Sequence, residues 1–192
     1  MANFVEALWQ QDVGLIVNLT PLTEKGMVKS HQYWPTAESP VMSFGGAHSL
    51  EHISTAKLRI VSLEVDVHIM RCNEKPVQML HVKTWPDHGT LGIEQLEALC
   101  RELDRYVRNH VEKKVLFHCS AGIGRTGTLL SAHMMYQARQ LLSTIPLRDV
   151  PFQLLLHLRN YRPGMIQTAE QLASLFHFYD HLLEKQHEES KR

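Results

Sequence analysis

Ten consecutive residues, His118-Cys119-Ser120-Ala121-Gly122-Ile123-Gly124-Arg125-Thr126-Gly127, constrain this chain more than any other stretch. They follow a short apolar run, Val115-Leu116-Phe117, and lead into a long apolar-periodic segment, so their order is strand, tight loop, helix N-terminus. Backbone N–H groups of a glycine-rich loop at a helix start form a concave nest for an oxyanion. Arg125 adds a planar fork that can clamp a phosphate through two parallel hydrogen bonds. The same positive field favours a thiolate at Cys119, a nucleophile aimed at whatever occupies the nest. A buried cysteine at a strand end is the competing reading. The joint presence of His118, three glycines and a hydroxyl after the arginine argues against it.

The rest of the chain frames this segment. Val13 to Thr20 reads as a buried strand, and Leu58 to Met70 alternates apolar and polar as a half-buried strand does. Val77 to Thr84 alternates again after a connection at Asn73-Glu74-Lys75-Pro76, which predicts an antiparallel hairpin. Helical stripes predict helices over Ile93–His110, Thr126–Leu142 and Val150–Tyr161, with a last one starting at Thr168. Cys100 lies on such a stripe and reads as core packing. Residues 184–192 read as a frayed tail. Strands alternating with helices predict an α/β fold: a twisted, mixed but centrally parallel β-sheet flanked by helices, in a single domain over residues 1–192.

Composition excludes several partners. Twenty basic residues balance twenty acidic ones, so nothing points to nucleic acid or an anionic membrane surface. No apolar run is long enough to span a bilayer, and the first residues lack a signal-peptide pattern. Three cysteines, Cys72, Cys100 and Cys119, make no disulfide framework, which fits a reducing, cytoplasmic setting.

Residues 118–127 resemble the signature loop of the cysteine-dependent protein tyrosine phosphatases, in the phosphotyrosine-specific branch. Three other segments match that family in order. Trp85-Pro86-Asp87-His88-Gly89 is similar to its mobile general-acid loop. Gly164-Met165-Ile166-Gln167-Thr168-Ala169-Glu170-Gln171 is similar to its glutamine loop. Glu24-Lys25-Gly26 through Lys29, with Gln32-Tyr33-Trp34-Pro35, resembles its glutamate-bearing loop and the strand after it. The resemblance covers about Phe4 to Leu183.

It implies a protein-tyrosine phosphatase, acting on phosphotyrosine-containing proteins without cofactor or metal. By resemblance, Cys119 is the nucleophile, and Ser120 to Arg125 bind the phosphoryl oxygens. Asp87 serves as general acid and then base, and Trp85 frames its loop. Thr126 assists the sulfur as leaving group, and His118 supports the thiolate from behind. Gln167 and Gln171 position the hydrolytic water, while Glu24 orients Arg125 and Lys29 belongs to the same loop. Alternatives stand beside several of these roles. Thr126 suits a hydrogen bond within the first helical turn, His118 a satisfied core histidine, and Asp87 an ordinary turn residue. Thr168-Ala169-Glu170-Gln171 is also a capping box, and the lysines read equally as solvated charges. His177 and His181, four apart on the last helix, share a face that could hold a metal, but no third ligand stands out.

The chain departs from the branch at its start. The family carries an upstream segment whose aromatic residue stacks on the substrate ring, whereas the match here begins just before Glu6-Ala7-Leu8-Trp9. That predicts a trimmed N-terminus or a shallow pocket, and an exposed N-terminal sheet edge available for self-association or a partner. A phosphotyrosine-binding pseudophosphatase and a phosphatase of wider specificity are the two competing functions.

Overall fold

A computed structural model describes residues 1–142 and 149–191. The chain divides into two compact units: Met1–Thr84 with Val107–Ser120, and Trp85–Tyr106 with Ala121–Arg192. The boundary falls inside the signature segment, after Ser120.

The first unit holds one helix and all the strands. Helix α1 (Ala2–Gln10) precedes β1 (Val13–Asn18), and a small hairpin of β2 (Thr23–Glu24) and β3 (Met27–Val28) follows. Strands β4 (Val41–Phe44), β5 (His48–Ile60), β6 (Leu63–Cys72), β7 (Lys75–Val82) and β8 (Lys114–His118) complete a six-stranded sheet in the order β4-β5-β6-β7-β1-β8. Strand β1 runs parallel to both β7 and β8, and the other pairings are antiparallel hairpins. The sheet is therefore mixed, with β1 at the centre of its parallel part. All six residues of β1 are buried, as its uninterrupted apolar run predicts. Val5 and Leu8 of α1 share one buried core with Ile16, Met70, Val77 and Met79, as do Tyr33 and Trp34.

The alternation from Leu58 to Met70 is not one strand. It folds back at Val61-Ser62, so Leu58 and Ile60 end β5 while Leu63 opens β6. The apolar period passes through the turn unbroken because Ile60 pairs directly with Leu63. Neither turn residue carries the usual glycine or asparagine signal. Val61 pays for this with a left-handed φ of 57°. Because the Val61 side chain is half exposed, Val61→Asn removes strain and no packing. We expect it to stabilise the unit by about 1 kcal/mol, raising Tm by about 2–4 °C. A thermal melt showing no rise would contradict this strain argument. The connection between β6 and β7 is also tighter than expected. Asn73, at φ 53°, and Glu74 form the turn, and Pro76 lies within β7, where the pairing to β1 has not yet begun.

The second unit is helical. Its helices are α2 (Ile93–Asn109, of which the part to Tyr106 belongs here), α3 (Gly124–Gln137), α4 (Val150–Tyr161) and α5 (Ala169–Glu189). Leu129, Ala132 and Met135 of α3 and Leu175, Phe178 and Leu182 of α5 are buried, as are Leu96, Leu99, Cys100 and Leu103 of α2. Cys100 is fully buried, and burial pushes its thiol well up, so it serves the core as expected. Helix α5 continues to Glu189 rather than fraying from residue 184, with Gln186 Nε2 donating to Gln140 O at 2.8 Å. Arg192 lies outside the described residues. No helix among the described residues is long and apolar enough to cross a membrane.

Burial sets an acid limit on the first unit. His68 is 6% exposed, and desolvation lowers it to about 4, with His81 repelling its charged form further. The unfolded chain takes up this proton near pH 6.5 and the folded chain only near pH 4. Stability therefore falls as pH drops between those values, by up to about 3 kcal/mol from this residue. His81 and His118, also lowered by burial, add in the same direction. Urea unfolding at pH 7 and at about pH 4.5 should show the loss, and His68→Gln should reduce it. An equal loss in both proteins would contradict the assignment to His68.

Candidate active site

Strand β8 carries the signature segment to its turning point. His118 ends the strand opposite Asn18 of β1, and Leu19 N donates to its carbonyl at 2.9 Å. Cys119 follows at 8% exposure, one residue beyond the parallel ladder. His118 Nε2 lies 2.7 Å from Tyr33 Oη and its Nδ1 lies 3.2 Å from Cys119 O. A single tautomer satisfies both contacts: Nδ1–H donates to the carbonyl while Nε2 accepts from the phenol. Burial lowers the His118 pKa and raises that of Tyr33, so both groups stay neutral. His118 is thus not isolated in the core: it is pinned between a buried phenol and the backbone carbonyl of Cys119. Sequence alone does not assign Tyr33 a role, because its partner lies 85 residues away.

In the same unit, Ser120 Oγ donates to Lys29 O at 2.8 Å, fastening the start of the signature loop to the loop after β3. Lys25 and Gly26, both with positive φ, form the tight turn that follows Glu24.

The second unit holds the rest of the segment with the acid and glutamine loops. Gly122 sits at φ 70°, where a side chain is strained, and its turn delivers Ile123 to the start of α3. No side chain caps that helix, so its first N–H groups are not spent on a cap. Arg125 is 2% exposed. Its Nη1 donates to Trp85 O at 3.1 Å and its Nη2 to Asp87 Oδ1 at 3.0 Å. The proposed clamp and the proposed acid, 38 residues apart in sequence, are thereby joined by a charge-assisted hydrogen bond.

The acid loop is a closed turn. Gly89 N donates to Pro86 O at 3.1 Å, His88 takes a φ of 58°, and the buried Trp85 indole donates to Gly89 O at 3.1 Å. The glutamine loop holds it from the other side. Thr168 Oγ1 donates to His88 O, and Gln171 Nε2 donates to Gly89 O, each at 3.4 Å.

Gln171 is fully buried, and its capping-box role is realised. Its backbone N–H donates to Thr168 Oγ1 at 3.2 Å, and its Oε1 accepts from Thr168 N at 3.3 Å. The same Oε1 accepts from Gln167 N at 2.9 Å. Gln167 itself reaches the signature loop: a Cβ added to Gly124 would stand 3.0 Å from Gln167 Oε1 and 3.1 Å from Gln171 Nε2. The glycine therefore keeps that side of the loop open to both amides.

The Thr126 hydroxyl is buried with no hydrogen-bond partner among the described residues, while Thr128 makes the intrahelical bond, to Gly124 O at 3.0 Å. The alternative role weighed for Thr126 thus falls to Thr128. Sequence alone assigns no role to Arg159 and Arg162 either. Arg159 donates to Met165 O and Ile166 O, each at 3.0 Å, and Arg162 Nη2 donates to Ala121 O at 2.9 Å. Three residues apart at the end of α4, they brace the glutamine loop and the signature loop. His181 bonds Glu97 Oε2 at 2.9 Å, beside Lys185, rather than joining His177 at a metal.

Comparison with known proteins gives the family. The family model described as protein-tyrosine phosphatase matches residues 1–180. The rat tyrosine-protein phosphatase non-receptor type 7 (Rattus norvegicus) is 33% identical over 92% of this chain and 47% of its own length. The receptor-type tyrosine-protein phosphatase eta of Gallus gallus is 29% identical over 90% of this chain and 12% of its own length. A crystal structure of a Trypanosoma brucei protein tyrosine phosphatase superposes with a TM-score of 0.80 at 27% identity, covering 95% of this chain and 65% of that one. The chain spans only part of the relatives it matches, from about an eighth to just under half of these two curated ones. With the match running through both units and through all four motifs, the chain belongs to the protein-tyrosine phosphatase family.

Proposed function

We propose that this chain hydrolyses phosphotyrosine in proteins through a covalent cysteinyl-phosphate. The observation that carries the reading is the Arg125–Asp87 contact at 3.0 Å, which brings the phosphate clamp and the acid together with the Trp85 carbonyl on the same guanidinium. In the first step the Cys119 thiolate attacks phosphorus, the bond from phosphorus to the tyrosine oxygen breaks, and Asp87 gives that oxygen its proton. In the second step Gln167 holds a water, Asp87 takes its proton, and oxygen displaces sulfur from phosphorus. The Thr126 hydroxyl, buried without a partner among the described residues, donates to the departing sulfur. The Ser120–Arg125 segment binds the equatorial oxygens throughout, since phosphoryl transfer depends on positioning and charge stabilisation. Gln171 orients Gln167, whose backbone N–H donates to the Gln171 Oε1. Phosphorylated proteins are the substrates. A reducing compartment is the setting, since none of Cys72, Cys100 and Cys119 forms a disulfide and the nucleophile works only unoxidised.

Asp87→Asn tests the acid. Turnover of a phosphotyrosine peptide is expected to fall by about 10²–10³-fold. An aryl phosphate whose phenol leaves readily without a proton should lose far less. The alkaline fall in the pH–rate profile, which requires a protonated acid, should disappear. Equal losses on both substrates with the profile unchanged would remove Asp87 from this role. Wild-type protein that releases no phosphate from any phosphotyrosine peptide would sink the whole reading.

A further inference from the structure

On the sheet of the first unit, Asp66 and His68 lie two apart on β6, and His81 pairs with Asp66 from β7, so all three project from one face. One potential ligand atom from each lies within 4.8 Å of the other two. We infer that Asp66, His68 and His81 form a binding site for a divalent transition-metal ion of the zinc class.

Three observations support it. The first is an orphan nitrogen: His68 is 6% exposed, its Nδ1 meets Thr55 Oγ1 at 3.1 Å, and its Nε2 is buried with no hydrogen-bond partner among the described residues. A buried ring nitrogen without a partner is costly unless something fills the position. The second is outer-shell order. His81 Nε2 donates to Thr20 O at 2.9 Å, which leaves Nδ1 as the lone-pair nitrogen, and Thr55 can accept from His68 Nδ1 in the same way. Ligating histidines are held by such bonds to a carbonyl or hydroxyl through the second ring nitrogen.

The third is a cation already present at this carboxylate: Lys83 Nζ stands 2.6 Å from Asp66 Oδ2. The site draws positive charge, and the exposed lysine can swing away to yield its place. Trp34, with ring centroids 5.8 Å from His68 and 5.0 Å from His81, forms an apolar wall beside the pair.

Two imidazoles and a carboxylate suit zinc or cobalt and leave a fourth position open. Ligand atoms at a tetrahedral ion stand about 3.4 Å apart for bonds of about 2.1 Å, so binding draws the three side chains together. The inference is independent of the phosphatase reading, since none of these residues is assigned a step in it.

Cobalt(II) titrated into the full chain carrying Cys119→Ser tests it without the reactive thiol. We expect one ion per chain, with visible d–d bands, no thiolate-to-metal band, and displacement by zinc. Zinc should also raise Tm. His68→Ala and His81→Ala should each weaken binding by more than about 10-fold. Should those variants fail to fold, Lys83→Met decides the matter, because removing the competing ammonium must tighten binding. Absence of saturable one-to-one binding, unchanged affinity in both histidine variants, or no gain in Lys83→Met would each overturn the site.

Discussion

Cys119→Ser is expected to lower phosphate release from a phosphotyrosine peptide by at least about 10⁴-fold while leaving peptide affinity and Tm close to wild type. The loss is large because no second group can replace the thiolate. An alcohol in the same place is far less ionised, and the covalent intermediate is not formed. The fold should be indifferent, because one small buried atom replaces another at a residue 8% exposed. His118 and Tyr33 keep their mutual 2.7 Å contact, and His118 still bonds the carbonyl of residue 119 rather than its sulfur. Turnover measured beside peptide binding separates the outcomes. Retained turnover would exclude a cysteinyl-phosphate, and lost binding would show the side chain to be part of the anion nest itself.

Arg125→Lys should cost about 10³-fold in kcat/KM despite keeping the charge. The guanidinium uses two nitrogens on two partners, Nη1 on Trp85 O and Nη2 on Asp87. A single ammonium cannot reproduce that fork, nor grip two phosphoryl oxygens side by side. The substitution therefore loosens the clamp and the acid loop together. Inhibition by inorganic phosphate should weaken in parallel, because the ground-state anion uses the same donors. A loss under tenfold, with phosphate inhibition unchanged, would mean that charge alone suffices at this position.

What sequence could disclose follows from how each feature is built. The proposed nucleophile, nest and clamp come from adjacent residues, so the pattern that suggests them is local, and the capping box at Thr168–Gln171 is equally local. The Val61-Ser62 turn was hidden because strain substitutes for the usual turn residues and the apolar alternation continues across it. Strands β4 and the first half of β5 left little signal, because Val41, Ile53 and several neighbours along them are exposed and do not alternate cleanly. Tyr33, Arg159 and Arg162 act through partners remote in sequence or through backbone carbonyls, which no residue pattern encodes. The Asp66–His68–His81 group needs the β6–β7 register before its members become neighbours.

The bonds of Gln171 have a consequence for anyone hoping to toughen this protein. One amide starts a 21-residue helix, seats the backbone of Gln167 and ties down Gly89. Under the proposed mechanism heat resistance and turnover are therefore not separate traits here, and a replacement that improved the helix start would retune the reaction with it. Engineering for robustness belongs at places such as the Val61 turn, which is assigned no step in that mechanism.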